Sequence, residues 1–288
     1  MKISFLLFFW RKDMKKTLKN LLVLVSLLSA FSLVGCGKSK SENVLRVGME
    51  CGYAPYNWTQ SDDSNGAVPI EGSKEFANGY DIMFAKKVAE GLGKELSIVK
   101  IDWDGLAPAV QSGTIDLVMA GMSPTKERQE VIDFTSAYWK SDLIMVVKKD
   151  SAYANATSLS DFKGAKVTGQ LNTVHYSVID QIPGAQKVEA MQDFNSERVA
   201  LKSGIIDAYV AELPEGLSVE KAIPEFTYIK FEDGKGFVAS DEDLAVAAGL
   251  SKGSKLKEDL NKIIDSVSDE KRQEMMKTAL ETQPISEE

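Results

Sequence analysis

From residue 44 onward, apolar positions along the chain follow two different periods in turn. Ile82, Ala85, Val88, Ala89 and Leu92 fall at helical spacing, and Gly91 and Gly93 stop the run. Residues 97–101 read as a strand. Asp104 suits the cap of a second helix with Pro108 in its first turn. Near the C-terminus Leu256, Leu260, Ile263, Ile264 and Val267 share one helical face. Strands alternating with helices predict an α/β protein with open, mainly parallel sheets. Ligand sites in such sheets lie beyond the carboxyl ends of the strands.

The segment Ala109-Val110-Gln111-Ser112-Gly113-Thr114-Ile115-Asp116 is echoed by Ala200-Leu201-Lys202-Ser203-Gly204-Ile205-Ile206-Asp207. Each copy reads as a helix stopped by a glycine, where positive φ is cheap, followed by an apolar strand over 115–120 or 206–211. A weaker echo pairs Arg46-Val47-Gly48 with Lys166-Val167-Thr168. One copy of each lies on either side of residue 150, which predicts two similar α/β lobes facing across a cleft. Residues 142–149 and 237–250 are candidate connecting strands, and two connections make a hinge. The expected division is residues 44–147 with 240–288 in lobe 1, and residues 148–239 in lobe 2. Residues 59–78, polar and rich in Gly and Ser, are expected to form an exposed loop.

The N-terminal 35 residues change the picture of where the protein works. Arg11, Lys12, Lys15, Lys16 and Lys19 precede an uncharged apolar run over 21–31, the order found in an export signal, and the run is too short to span a bilayer. Met14 offers a second possible start. The run ends in Leu33-Val34-Gly35-Cys36, which resembles the lipobox of bacterial lipoproteins. That resemblance implies cleavage after residue 35, lipid on the Cys36 sulfur, and residues 36–43 as a lipidated cysteine with a flexible tether. The expected location is the extracytoplasmic face of the cell membrane. Residues 1–35 hold six of the 34 basic and one of the 42 acidic residues, so the remainder carries 28 and 41, a net charge of −13. This argues against nucleic acid or an anionic membrane surface as partner. With Cys36 lipidated, Cys51 has no cysteine to pair with.

The residues after the first echo carry candidate chemistry. In Ala120-Gly121-Met122-Ser123-Pro124-Thr125-Lys126-Glu127-Arg128, Ser123 suits an N-cap and Pro124 a first helical residue. A helix N-terminus favours a carboxylate, and Arg128 can add a bidentate charge-assisted pair; a capping serine and a solvated arginine are the plainer alternative. In the second echo Glu212 sits one residue past the strand, where it can meet an ammonium or remain a loop charge.

These segments, with Tyr53-Ala54-Pro55-Tyr56, Gly79-Tyr80-Asp81-Ile82, Trp103-Asp104-Gly105-Leu106, Gln111-Ser112-Gly113-Thr114-Ile115-Asp116 and Asp133-Phe134-Thr135, resemble the polar-amino-acid solute-binding proteins of ABC importers, solute-binding protein family 3. The resemblance implies a type II periplasmic-binding-protein-like fold of two α/β lobes joined by a two-strand hinge. It also implies a mainly monomeric protein that passes an L-amino acid to an ABC permease and uses no cofactor. It assigns the ligand carboxylate to Arg128, Ser123 and Thr173, and the ammonium to Glu212 and the backbone of Gly121. The family position of Glu212 is usually Asp, one methylene shorter. Tyr53 and Trp103 would flank the ligand side chain and Glu50 would meet its distal end, which favours arginine, lysine or histidine over the competing glutamine. Tyr56 and Trp58 read as scaffold. The same fold hosts a cyclohexadienyl dehydratase. The one histidine, His175, is a candidate acid for such chemistry, with a polar rim residue as the favoured reading. No nucleophile elbow, phosphate loop or zinc-ligand cluster is present in the sequence.

Overall fold

The computed structural model describes residues 43–284; the expected signal segment, Cys36 and the tether to residue 42 lie outside the described residues. The chain runs through β1 (Val44–Met49), β2 (Gly52–Tyr53), β3 (Asn57–Gln60), β4 (Val68–Pro69), β5 (Phe76–Asn78), α1 (Tyr80–Gly91) and β6 (Glu95–Lys100). It continues with α2 (Trp103–Gln111), β7 (Leu117–Val118), α3 (Lys126–Val131) and β8 (Asp133–Lys140). Next come β9 (Leu143–Lys148), β10 (Lys166–Thr168), α4 (Val174–Ser177), β11 (Gln186–Lys187), α5 (Phe194–Lys202), β12 (Ala208–Glu212), α6 (Leu213–Ala222) and β13 (Phe226–Ile229). The last elements are α7 (Asp241–Leu244), β14 (Ala245–Leu250), α8 (Lys257–Asp265) and α9 (Asp269–Thr282).

Two five-stranded sheets result, ordered β6-β1-β7-β14-β8 and β11-β10-β12-β9-β13. In each, the first strand of the lobe's parallel set lies between two parallel neighbours: β1 between β6 and β7, β10 between β11 and β12. In each, the fourth strand runs antiparallel to both of its neighbours. That fourth strand is the first one made after the chain crosses between lobes, β9 on the way out and β14 on the way back.

The candidate connecting stretches over 142–149 and 237–250 hold sheet strands beside the crossings. The stretch over 143–148 is not a connection, because β9 pairs with β12 over five residues and with β13 over four, inside the second sheet. The outward crossing is Ser141-Asp142, and the return ends at Leu244, whose carbonyl accepts from the Ser141 N–H at 3.0 Å. Both strands are covered on both faces, so their apolar runs carry no mark of which sheet they join. Alternation does show which core each side chain enters. Leu143, Met145 and Val147 with Ala208 and Val210 form the core of the second lobe. Ile144, Val146, Tyr209 and Ala211 join the larger core that continues into the first lobe.

The expected loop over 59–78 is broken by short strands: the end of β3, with β4 and β5, joins β2 in a small antiparallel sheet, and Ile70 bridges to Ile98 of the first sheet, while the turns between stay exposed. Strands of two to four residues with polar members leave no readable period. Helix α2 starts one residue before Asp104, so Pro108 is its sixth residue rather than part of its first turn. The expected glycine stops are found: Gly113 follows α2 at φ 72° and Gly204 follows α5 at φ 74°.

Candidate functional site

The carboxyl ends of the strands of the two lobes face one cavity of about 10 Å³, bordered by Tyr53, Trp103, Gly121, Ser123, Arg128, Thr173 and Glu212 among others. Seven of the eight anticipated ligand residues therefore meet at one place. The eighth, Glu50, follows β1 and reaches the site through Gln170, which also lines the cavity.

Arg128 projects from α3, and the helix begins two residues later than expected. Thr125, not Ser123, is the cap: its side chain accepts from the Arg128 N–H, and Lys126 is the first helical residue. The Ser123 carbonyl accepts from one Arg128 guanidinium nitrogen at 2.8 Å, and the Asn172 carbonyl of the other lobe accepts from the second at 2.9 Å. The guanidinium carbon lies 4.8 Å from the centre of the Trp103 ring, a cation–π contact. Burial draws the Arg128 pKa down to about 10 against the pull of Glu212, Asp243 and Glu127, so it stays charged at neutral pH. The Ser123 hydroxyl donates to the Asp243 carbonyl at 3.0 Å, and the Thr173 hydroxyl to the Gln170 carbonyl at 2.6 Å.

Glu212 is the last residue of β12, inside the strand rather than one past it. Its Oε2 accepts from the Tyr53 hydroxyl and lies 3.0 Å from His175 Nε2. Burial alone would raise the Glu212 pKa. The charge of His175 and the hydrogen bonds from His175 and Tyr53 outweigh burial and hold it below the usual value. Burial, and then the Glu212 charge, raise the Tyr53 phenol well above its usual range, so its hydroxyl remains a donor. His175 is 7% exposed, a buried member of the cleft and not a rim residue. Tyr53 stacks on Phe194, centroids 4.1 Å apart and planes 3° from parallel.

Glu50 accepts from Gln170 Nε2 at 3.0 Å across the cleft. Burial pushes its pKa up to about 8; the Gln170 hydrogen bond opposes this, and Asp193, Asp102 and Asp104 reinforce it. Gly121 adopts φ 62°, and a Cβ there would stand 3.0 Å from Tyr53 Cε1. Its N–H donates to the buried carboxylate of Asp81, which also accepts from Tyr138 at 2.6 Å and Asn57 at 2.8 Å. Tyr56 and Trp58 are buried in the scaffold. Cys51 is also buried, which pushes its thiol up to about 12. Among the described residues no group of three or more His, Cys, Asp or Glu could hold a metal ion.

A cation on one lobe and an anion on the other, with aromatic walls between them, suit a small zwitterion. The profile of the bacterial extracellular solute-binding proteins, family 3, matches residues 45–280. The chain belongs to this family. Among its relatives, the arginine-binding extracellular protein ArtP of Bacillus subtilis is 27% identical over 90% of this chain and 96% of its own. A probable histidine-binding protein of Campylobacter jejuni is 31% identical over 74% of this chain and 83% of its own. An amino acid ABC transporter substrate-binding protein from Streptococcus pneumoniae, solved bound to L-arginine, superposes with a TM-score of 0.73 at 28% identity, covering 84% of this chain and 95% of that one. The fold of this family 3 member is accordingly that of the type II periplasmic binding proteins.

Gln170 escaped the sequence reading, yet the weaker echo contains its signal. Matching Arg46-Val47-Gly48 to Lys166-Val167-Thr168 puts Glu50 and Gln170 at equivalent positions past β1 and β10. The two repeats thus touch each other through the same position.

Proposed function

We propose that the chain captures an L-amino acid between its lobes, with arginine, lysine or histidine favoured, and delivers it to an ABC permease. The observation that carries this is the charge pair bordering one cavity: Arg128 from the first lobe and Glu212 from the second. Arg128, with Ser123 and Thr173, would take the α-carboxylate; Glu212 and the Gly121 carbonyl would take the α-ammonium. Tyr53 and Trp103 would flank the side chain. Glu50, neutral at pH 7 by its raised pKa, would ionise against a distal cation. The likeness to arginine- and histidine-binding relatives supports a cationic ligand. Glutamine is the competing ligand, since an uncharged Glu50 can also donate to an amide oxygen.

In this reading the lobes are residues 43–141 with 245–284, and 142–244. The protein acts as a monomer outside the cytoplasm, held to the membrane by lipid on Cys36 after removal of residues 1–35. It is a binder rather than an enzyme, and the buried His175–Glu212 pair in the cavity is an arrangement that favours proton-transfer chemistry instead. A thermal-shift panel of the twenty amino acids tests the assignment. A ligand at about a thousandfold its Kd adds about 4 kcal/mol of stability. A response confined to arginine, lysine or histidine supports the full reading, and a response to glutamine moves the specificity. Silence to all twenty, with turnover of prephenate or arogenate, replaces transport by catalysis.

A further inference from the structure

The contact between His175 and Glu212 has no part in the assignment above. His175 stands in α4, directly against the turn that leaves β10. A Cβ on Gly169 would come within 2.8 Å of the His175 carbonyl carbon and the Tyr176 nitrogen, so a glycine lets the turn lie against the helix backbone and sets where the imidazole emerges. Phe194 meets the imidazole edge-on at 5.6 Å and 70°, and Phe194 is itself fixed by its stack on Tyr53. The imidazole is thereby aimed at Glu212, with Nε2 3.0 Å from Oε2 and both side chains under a tenth exposed. Nδ1 has no partner among the described residues. The other charged or titratable groups facing this pair are Arg128 and Tyr53 in the cavity, with Tyr56, Asp81, Glu197 and Glu215 near Glu212.

A buried carboxylate left without a partner is costly. The protein supplies that partner from its own chain, on the carboxylate assigned to the ligand's α-ammonium. A cavity of about 10 Å³ holds about one water and not an amino acid. With Oε2 of Glu212 already taken by Tyr53 and His175, the present position of His175 and a bound α-ammonium compete for the same carboxylate. Arg128 is satisfied in the same way, by the carbonyls of Ser123 and Asn172.

We propose that His175 is an internal stand-in for the ligand's α-ammonium: it satisfies Glu212 in the closed cleft, and the amino acid must displace it to bind. This rests on the amino-acid reading of the site. By pairing with Glu212 inside the same lobe, His175 reduces the fraction of chain whose carboxylate is free for capture, and the apparent affinity falls by the same factor. It is an affinity-setting residue, and it acts only on ligands that carry the ammonium.

The test compares two ligands on the full chain by calorimetric titration. One is the amino acid giving the largest thermal shift; the other is its des-amino counterpart, which for arginine is 5-guanidinopentanoate. His175→Ala is expected to tighten the amino acid about tenfold, the scale of one charge-assisted hydrogen bond. The same change should weaken the des-amino compound, because Glu212 then keeps only the neutral Tyr53 hydroxyl as a side-chain partner. His175→Gln keeps a donor without a charge and should tighten the amino acid about threefold; it serves if the alanine variant does not fold. Weakening of both ligands alike would overturn the proposal and make His175 a support for Glu212. Tightening of both alike would also overturn it, reducing His175 to bulk. A wild-type chain that binds no amino acid would overturn the reading of the site and this inference together. Binding by wild type with either failed pattern overturns the inference alone.

Discussion

The two lobes agree at the base of their sheets and differ at the mouth. In the first, Ser112 ends α2, Gly113 turns, and the Thr114 and Ile115 N–H groups both reach back to the Ala109 carbonyl. In the second, Ser203 ends α5, Gly204 turns, and the Ile205 and Ile206 N–H groups both reach the Ala200 carbonyl. Asp116 then exchanges bonds with Arg46, its N–H to the carbonyl at 2.8 Å and its carboxylate from the N–H at 2.9 Å. Asp207 does the same with Lys166 at 2.9 and 2.8 Å. Five residues further on, the copies part company: Gly121 in the first lobe occupies the position of Glu212 in the second. One repeat turns there into a loop leading to Arg128; the other enters α6 at once and leaves a carboxylate at the strand end. The base is dictated by backbone geometry and tolerates few solutions. The mouth, freed of that duty, carries opposite charges.

The largest expected effect breaks the mouth. Arg128→Ala should cost at least about a hundredfold in amino-acid affinity by calorimetry, because a desolvated charge loses its partner. Near-native affinity would remove Arg128 from the carboxylate role. The base should respond equally in both lobes. Asp116→Ala and Asp207→Ala are each expected to lower unfolding free energy in urea by about 1–3 kcal/mol, with similar values. A cost confined to one lobe would mean that the matched geometry hides unequal energetics.

Glu50 against Gln170, the position where the repeats meet, comes next. Glu50→Gln should weaken a cationic amino acid about tenfold and glutamine less, as expected for one charge-assisted contact. The pKa of Glu50 is raised from 4.5 to about 8. Its neutral form therefore favours the folded, closed protein; that contribution is complete below about pH 4.5 and is lost as pH climbs through about 8. Glu50→Gln should flatten this part of a melting-temperature profile. Arginine binding to wild type at pH 7 should release a proton, seen as a buffer-dependent enthalpy. The smallest effect tests the turns: Gly113→Ala and Gly204→Ala should each cost about 1 kcal/mol, since both sit at positive φ.

Much of the base was legible in the chain because repeat, glycine stop and aspartate recur in order. The mouth was legible as a set of residues and less so as a set of contacts. Which hydroxyl caps α3 depends on where the backbone leaves Pro124, and Thr125 rather than Ser123 meets the helix. The role of β9 was hidden because Leu143–Lys148 is apolar on both faces, and pairing partners leave no trace in such a run. His175 was read as rim because a single histidine near a loop carries no pattern; only the aim of its imidazole at Glu212 shows otherwise.

The strand order also sets a timetable for the newborn polypeptide. The second sheet uses one unbroken stretch of chain from β9 to β13, whereas the first sheet needs β14 inserted between β7 and β8. As the chain emerges from its N-terminus, everything required for the second lobe is available before residue 245 appears. The first lobe, begun earliest, cannot close its sheet until the second has been made, so the part that starts first is the part that must finish last.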